Sequence, residues 1–127
     1  MGFQLKQSTE GYFYPISLPV MTENGTSRIE RFDMKFRRLS RVQINELMAR
    51  TKEQKDEEFE VDALESDVDF VMEVSEGWRH VSGPDGGDLA FTRENVWMAL
   101  NQFPSAAGTI AKAFYESSTG GGAKRKN

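Results

Sequence analysis

The sequence predicts an α+β domain, with an N-terminal β-meander or hairpin of two to three antiparallel strands followed by about four α-helices. Three observations predict it. Apolar residues alternate over 12–20 and 32–36, an Asn-Gly pair separates these runs, and helical periodicity begins after residue 40. Period-two patterning is typical of half-buried strands, and spacing of three to four residues is typical of amphipathic helices. Strand patterns that precede helix patterns indicate segregated layers, and no internal repeat is present.

The first strand is predicted over residues 12–20. Its apolar face comprises Tyr12, Tyr14, Ile16, Leu18 and Val20. Pro15 and Pro19 share the opposite phase. Because proline has no N–H to give to a ladder, we expect this strand to lie at a sheet edge or to be partly unpaired. The alternation in 3–6 predicts a further, short strand in a meander that spans 3–38.

Asn24 and Gly25 predict a hairpin turn, since both residue types tolerate the positive φ that tight turns need. The return strand carries an alternating apolar face. Its members are Phe32, Met34 and Phe36. Ile29 is out of phase with that face, which predicts a bulge near residues 30–31.

Helix start and stop signals divide the rest of the chain. Ser40, with Gln43 three residues later, is typical of a capping box at the first helix. A second helix is expected over about 61–75, with Gly77 as its stop. The sequence SGPDGGD at 82–88 is a turn cluster. The remaining signals are Thr92 as cap of the third helix, Pro104 as its end and Ser105 as cap of the fourth.

The chain divides into one α+β domain over 1–118 and a flexible tail over 119–127. A length of 127 residues is suited to one hydrophobic core. The tail combines a glycine run with a basic tip. Its last residues are Gly120, Gly121, Gly122, Ala123, Lys124, Arg125, Lys126 and Asn127. Consecutive glycines are typical of a flexible linker.

Composition excludes several classes of function. The formal net charge is −4, so a general polyanion-binding surface is not expected, and the absence of cysteine excludes disulfides and thiolate metal sites. No apolar run approaches the length of a membrane span, and the N-terminus lacks the apolar region of a signal peptide. His80 is the only histidine. We therefore expect no catalytic residue, no metal ligand and no cofactor.

Charge is unevenly distributed along the chain. Residues 28–52 hold eight basic and three acidic side chains, whereas residues 53–76 hold eleven acidic and one basic. The acidic residues at 62, 67, 69 and 73 resemble a calcium loop but lack its central glycine, so they are interpreted as a solvated helix face. Two interpretations of the asymmetry remain open. Both regions are simply solvated, or their opposite charges steer self-association or a partner.

Six residues are candidates for contact with a protein partner. They are Phe13, Arg37, Arg38, Trp78, Trp97 and Phe103. Residues 12–14 are three consecutive aromatics, so at least one of them points away from the core. The two adjacent arginines can bind phosphates, but no stacking platform of aromatic side chains accompanies them. Exposed aromatic and arginine side chains are typical anchors of protein interfaces, so we expect a protein partner rather than nucleic acid.

Three stretches together resemble the small tail assembly chaperones of long-tailed, siphovirus-type bacteriophages and prophages. The first is YFYPISLPVMTENGTSRIERFDMKFRRLSRVQINEL, an aromatic-proline strand, a hairpin, a return strand and a Ser-capped helix. The second is GWRHVSGPDGGDLAFTRENV, and the third is AFYESSTGGGAKRKN. The resemblance covers most of the chain, and the order and spacing of the stretches carry it.

The resemblance implies a protein that is not an enzyme. Such chaperones bind and solubilise the tape measure protein during tail tube assembly, act as homo-oligomers in the bacterial host cytoplasm, and are not expected in the mature virion. The acidic net charge and the absence of a long apolar run predict no contact with nucleic acid or membrane. The resemblance further implies a longer product of ribosomal frameshifting that recruits the tail tube protein. Lys and Asn codons allow an adenine run over residues 125–127, so a slippery heptamer near the gene's end is expected.

An alternative function belongs to a different class. A small acidic regulatory adaptor would use its acidic residues 53–76 to mimic nucleic acid and so occupy a nucleic-acid-binding protein. Retention of a long coiled-coil-rich phage protein in a pull-down favours the chaperone, whereas retention of a DNA-binding protein favours the adaptor. Neighbouring genes for a tail tube and a very long tape measure protein would favour the chaperone.

Overall fold

The structure, a computed structural model, describes residues 2–5, 9–56 and 63–120. Within these ranges three strands and four helices follow one another. They are β1 Tyr12–Met21, β2 Ser27–Phe36, α1 Arg41–Asp56, α2 Ala63–Val74, β3 Ser75–Arg79, α3 Arg93–Gln102 and α4 Ala106–Ser118. The predicted α+β class is confirmed. The tail beyond Gly120, the first residues of the predicted second helix and Lys6 lie outside the described residues.

β1 and β2 form the predicted hairpin. Their antiparallel register runs from the Tyr12–Phe36 pair to the Met21–Ser27 pair. At the turn, the Thr22 N–H donates to the Thr26 carbonyl at 2.7 Å, and Gly25 has a φ of +81°. The glycine adopts this left-handed conformation without strain from a Cβ.

The two prolines of β1 lie at the open edge of the sheet, as predicted. The strand order is β1-β2-β3, so β1 has one unpaired side. Because the Thr22 N–H points toward β2, the alternation of the ladder directs the even-numbered N–H groups of β1 inward. Pro15 and Pro19 therefore occupy positions where an N–H would point away from β2, and they remove no ladder hydrogen bond. They leave the outer edge with few donors for another strand.

The bulge predicted near residues 30–31 is wrong. The register of β1 with β2 is continuous through Glu30 and Arg31, and Ile29 lies opposite Pro19 on the outer face, 43% exposed. Ile29 is out of phase because it faces solvent and not the core. The irregularity of β2 lies instead between Lys35 and Phe36, where β2 pairs with β3.

The third strand is not the one expected near the N-terminus. Phe3 and Leu5 lie in no strand and are 91% and 93% exposed. β3 follows α2 directly, and Gly77, expected to stop a helix, lies within β3 opposite Lys35. Pairing with β2 supplies backbone partners that the local sequence does not reveal, which is why the strand escaped prediction.

Side-chain caps begin two of the helices as predicted. The Gln43 N–H donates to Ser40 Oγ at 3.2 Å, and the Ser40 N–H donates to Gln43 Oε1 at 2.8 Å. The Asn95 N–H donates to Thr92 Oγ1 at 3.1 Å. Ser105 does precede α4, but its side chain makes no capping hydrogen bond. Each satisfied N–H stabilises a helix end that would otherwise leave a donor unpaired.

The core lies between the inner face of the sheet and α2, α3 and α4. Phe36 is fully buried at its centre, and its ring meets that of Phe114 edge-to-face at 5.4 Å between centroids. α1 contributes a smaller anchor. Leu47 is buried, and the Arg50 guanidinium donates two hydrogen bonds to the Glu73 carboxylate at 3.2 and 2.6 Å.

Truncation of the central aromatic pair should destabilise the domain. We expect Phe114→Ala to lower the free energy of unfolding by about 3–5 kcal/mol, because it removes buried surface and leaves a cavity. Urea denaturation measures this loss. Phe3→Ala, a matched change at an exposed position, should shift the midpoint little. A loss below about 1 kcal/mol for Phe114→Ala would contradict the central role of this contact.

Asp67 provides a pH-dependent test of α2. Partial desolvation raises the pKa of the Asp67 carboxyl in the folded protein. Because the pKa is higher in the folded than in the unfolded protein, the ionised Asp67 carboxylate lowers the free energy of unfolding at pH values above the folded pKa. This destabilisation disappears when the pH falls below the unfolded pKa, where the carboxyl is protonated in both states. We expect Asp67→Asn to raise Tm at pH 7 and to lose most of that gain near about pH 3.

Asp69→Asn is the control for this measurement. Its carboxylate accepts from the Arg93 guanidinium at 2.8 Å, so the substitution should not raise Tm at pH 7. A gain for Asp67→Asn that is the same at both pH values would argue against desolvation as its cause.

Candidate functional site

An apolar groove opens between the turn half of the hairpin and the helices α3 and α4. It has a volume of about 220 Å³. Most of its lining side chains are aliphatic or aromatic. The apolar lining residues, which define the groove, are Leu18, Phe32, Val71, Trp78, Val81, Val96, Ala99, Leu100, Phe103, Ala106 and Ile110.

The groove has a buried floor and partly exposed walls. Leu18, Val96 and Leu100 are among the buried residues of the domain core, whereas Phe32 and Phe103 are half-buried. The cavity is therefore continuous with the core, and its walls already present apolar surface to solvent. An apolar side chain that enters it would leave water without any opening of the fold.

Trp78 holds one wall in place. Its indole N–H donates to the Leu89 carbonyl at 2.7 Å, and its ring meets Phe91 edge-to-face at 5.3 Å. The Leu89 N–H in turn donates to the Val81 carbonyl at 2.9 Å. β3 and the segment that leads to α3 are thus fixed to one another, and the groove is largely pre-formed.

His80 lies at the mouth of the groove. It has a φ of +65°, a left-handed conformation that is uncommon for a residue other than glycine. Its side chain is 70% exposed, and its Nε2 lies 3.9 Å from Asp33 Oδ2. This conformation occurs where the chain leaves β3 and enters the segment that leads to α3.

Three charged residues border the groove. They are Arg28, Glu30 and Arg31. The Arg28 guanidinium pairs with the Glu30 carboxylate, so their formal charges cancel. Arg31 lies opposite Ser17 of β1 and shares the outer phase of Ile29, so its side chain projects from the face of the sheet opposite to the groove. The groove is therefore defined by its apolar lining and not by a charged rim.

Two of the six predicted partner-binding residues meet in the groove. Trp78 and Phe103 both line it. Trp97 is exposed on α3 but outside the groove lining. Phe13 lies on the outer face of the sheet, where the Arg79 guanidinium is 3.8 Å from the centroid of its ring.

Arg37 and Arg38 lie at the other end of the sheet and have contacts within the chain. Arg37 Nη1 is 3.8 Å from a Glu76 carboxylate oxygen. The Arg38 Nε–H donates to the Glu10 carbonyl at 2.9 Å, and its guanidinium lies over the Tyr12 ring. The structure thus separates the six candidates into different surfaces, and partner binding by each of them stays a prediction.

The sequence did not identify most of the groove. Leu18 and Phe32 were placed on the inner face of the hairpin, but nothing in their spacing joins them to Ala99 or Ala106. Alternation shows which face a strand residue occupies, not which helix covers it. The small side chains of Ala99 and Ala106 leave space in the groove, but alanine is common in helices of every kind and does not signal such a space.

The acidic face of α2 is partly neutralised by ion pairs. Arg93 contacts Glu65 at 2.9 Å and Asp69 at 2.8 Å, and Arg50 binds Glu73. The acidic residues from 65 to 73 lie on a helix and not in a calcium loop. In the described part of the chain, no group of three or more His, Asp or Glu side chains is placed to hold a metal ion. None of the helices described there is long and apolar enough to span a bilayer.

The comparison with known families identifies the chain. A family model described as phage tail assembly chaperone matches residues 3–127. The chain belongs to this family. The match extends over the hairpin, both walls of the groove and the C-terminal tail, so the family resemblance predicted from the sequence is confirmed. The chaperone has no significant match among curated proteins or solved structures.

The wall of the chaperone's groove can be tested through its tryptophan. We expect Trp78→Phe to lower the free energy of unfolding by about 1 kcal/mol, because the hydrogen bond to the Leu89 carbonyl is lost. It should also speed amide hydrogen exchange at Leu89. Trp97→Phe is the matched control and should change neither quantity by a comparable amount. Equal effects of the two substitutions would show that the indole N–H does not hold this wall.

Proposed function

We propose that this chaperone binds the tape measure protein through the groove and keeps it soluble during tail tube assembly. The observation that carries the proposal is an open, pre-formed apolar cavity in a chain that belongs to the tail assembly chaperone family. Walls from the hairpin and from α3 suit an amphipathic helix that inserts an apolar side chain.

One groove of this size gives a modest affinity. It accommodates one or two large apolar side chains, whereas an α-helix with its side chains is about 10–12 Å across. Several chaperone copies along one long partner would bind far more tightly than one copy, through a high effective concentration. Homo-oligomerisation would raise this effective concentration further, and the proposed role involves no enzymatic step.

The C-terminal tail fits a junction with a longer frameshift product that recruits the tail tube protein. Gly120 has a φ of +78° immediately after the C-cap of α4, so the chain can turn away from the helix axis there. The tail would then serve as a linker between residues 1–118 and an extension. We place the chaperone in the bacterial host cytoplasm and outside the mature virion, with no nucleic acid or membrane as partner.

The adaptor alternative receives less support. A mimic of nucleic acid needs a row of unpaired carboxylates, whereas Glu65, Asp69 and Glu73 on α2 pair with arginines of the same chain. The acidic side chains at 53–62 lie outside the described residues, so this argument concerns residues 63–76 alone. Ion pairs within the chain reduce the negative potential that such a surface would present.

A groove-filling substitution tests the proposed function. Ala99 lines the groove on α3, and Ala99→Phe should occupy the cavity and weaken binding of the co-expressed tape measure protein at least tenfold. Ala111→Phe on α4, outside the groove lining, is the matched control and should bind as the wild type does. Co-purification and the soluble fraction of the tape measure protein measure the effect.

The fold of both variants is checked by thermal unfolding before binding is compared. Undiminished binding by a folded Ala99→Phe variant would place the tape measure site elsewhere on the chain.

A further inference from the structure

We propose that the apolar groove receives the N-terminal arm of a second copy of this chain. The arm is defined as residues 2–5, and its two large apolar side chains are Phe3 and Leu5. The inference goes beyond the proposed function, because it does not require that the groove binds the tape measure protein. It names a further occupant of the groove and makes the chain its own partner.

The first observation is the exposure of the arm. Phe3 and Leu5 are 91% and 93% exposed, the highest values among the large apolar side chains in the described part of the chain. Met21, the next in order, is 69% exposed. Contact with other apolar side chains would remove the arm's surface from water, which favours association. The arm thus presents apolar surface that the fold of its own copy leaves uncovered.

The second observation is that the arm and the groove match in chemistry and in size. The lining of the groove is mainly aliphatic and aromatic, and its volume of about 220 Å³ accommodates one or two large apolar side chains. Phe3 and Leu5 are two positions apart, so both side chains project from the same side of an extended segment. An extended arm would therefore direct both of them toward the groove.

The anchorage of the chain beside the arm determines which copy receives it. The Glu10 carbonyl accepts a hydrogen bond at 2.9 Å and the Gly11 N–H donates one at 3.1 Å, both with side chains at the end of the sheet where β1 begins. Leu18, which lines the groove, lies farther along β1 than Tyr12 by a rise of about 20 Å. The segment from Glu10 back to Leu5 spans at most about 18 Å. Leu5 therefore cannot reach the turn half of its own groove, whereas the arm of a second copy has no such restriction.

This contact joins two different surfaces of the same chain. Each copy offers one arm and one groove, so the interface is heterologous. Reciprocal exchange between two copies closes a dimer, and exchange in one direction extends into a ring or a row. A partner helix that enters the groove would compete with the arm. The exchange would therefore cover the apolar lining of the groove until a partner is present.

Concentration-dependent association of the full chain tests the exchange by sedimentation velocity. We expect the double variant Phe3→Ser/Leu5→Ser and the variant Ala99→Phe each to need a concentration at least about tenfold above that of the wild type for half-association, because each removes one side of the apolar contact. Val42→Ser/Met48→Ser, at two exposed apolar positions of α1 outside the groove lining, is the matched control and should associate as the wild type does. Thermal unfolding checks the fold of all three variants.

A mixing experiment tests whether the arm and the groove meet one another. The double variant at positions 3 and 5 keeps its groove, and Ala99→Phe keeps its arm. Fluorescence anisotropy of a labelled Ala99→Phe chain, titrated with the double variant, should show saturable binding under conditions in which each variant by itself stays monomeric. Two folded variants that do not bind one another would overturn the exchange.

The other outcomes separate this inference from the proposed function. A wild-type chain that stays monomeric at every concentration overturns the exchange, and so does undiminished association of the double variant, because the copies would then meet through another surface. In both cases, loss of the tape measure protein by Ala99→Phe still supports the groove as the partner site. If Ala99→Phe binds the tape measure protein undiminished but no longer self-associates, the exchange is supported and the proposed function is overturned.

Discussion

The contact between Phe36 and Phe114 is the interaction on which the rest of the fold depends. Phe36 lies at the end of the central strand and is fully buried, and its ring meets Phe114 of α4 edge-to-face. Tyr12 and Tyr14 of β1 lie against the same ring. This cluster of four rings joins the first strand pair to the last helix, and so closes a chain whose contacting elements are far apart in sequence. Aromatic clusters of this kind combine large burial with defined ring geometry.

The position of this cluster of four rings explains where the groove opens. The aromatic contacts hold one half of the sheet tightly against α4, while the hairpin extends toward its turn beyond the helices. Ala99 and Ala106 face the extended half, and their small side chains leave the space unfilled. Apolar surface therefore remains open at one end of a well-packed core. Such a combination suits the proposed binding of a partner's apolar side chain, because a rigid framework keeps an apolar surface available without the fold collapsing around it.

The sequence predicted correctly those elements that depend on residues close in sequence. It did not predict the element that depends on pairing with a distant strand. The hairpin, the edge position of the prolines and the capping box at Ser40 were all predicted, because each depends on neighbours within a few residues. β3 was not predicted, because its strand conformation comes from pairing with β2 some forty residues earlier. The bulge predicted from Ile29 is wrong for a related reason. Ile29 lies on the outer face of the sheet, so its phase relative to the core residues reflects exposure and not a bulge.

The sequence alone determined the α+β class, the family and the absence of cysteine chemistry, since these depend on composition, periodicity and the order of motifs. It also provided Trp78 and Phe103 as candidates, although it could not show that they share one cavity. The tertiary structure decided which of the aromatic side chains are buried, which surfaces the arginines border and where the groove opens. The physical reason is that a cavity is a property of packing between distant elements. Each wall of the groove has an ordinary local sequence, and only the way the sheet and the helices cover one another leaves the space between them open.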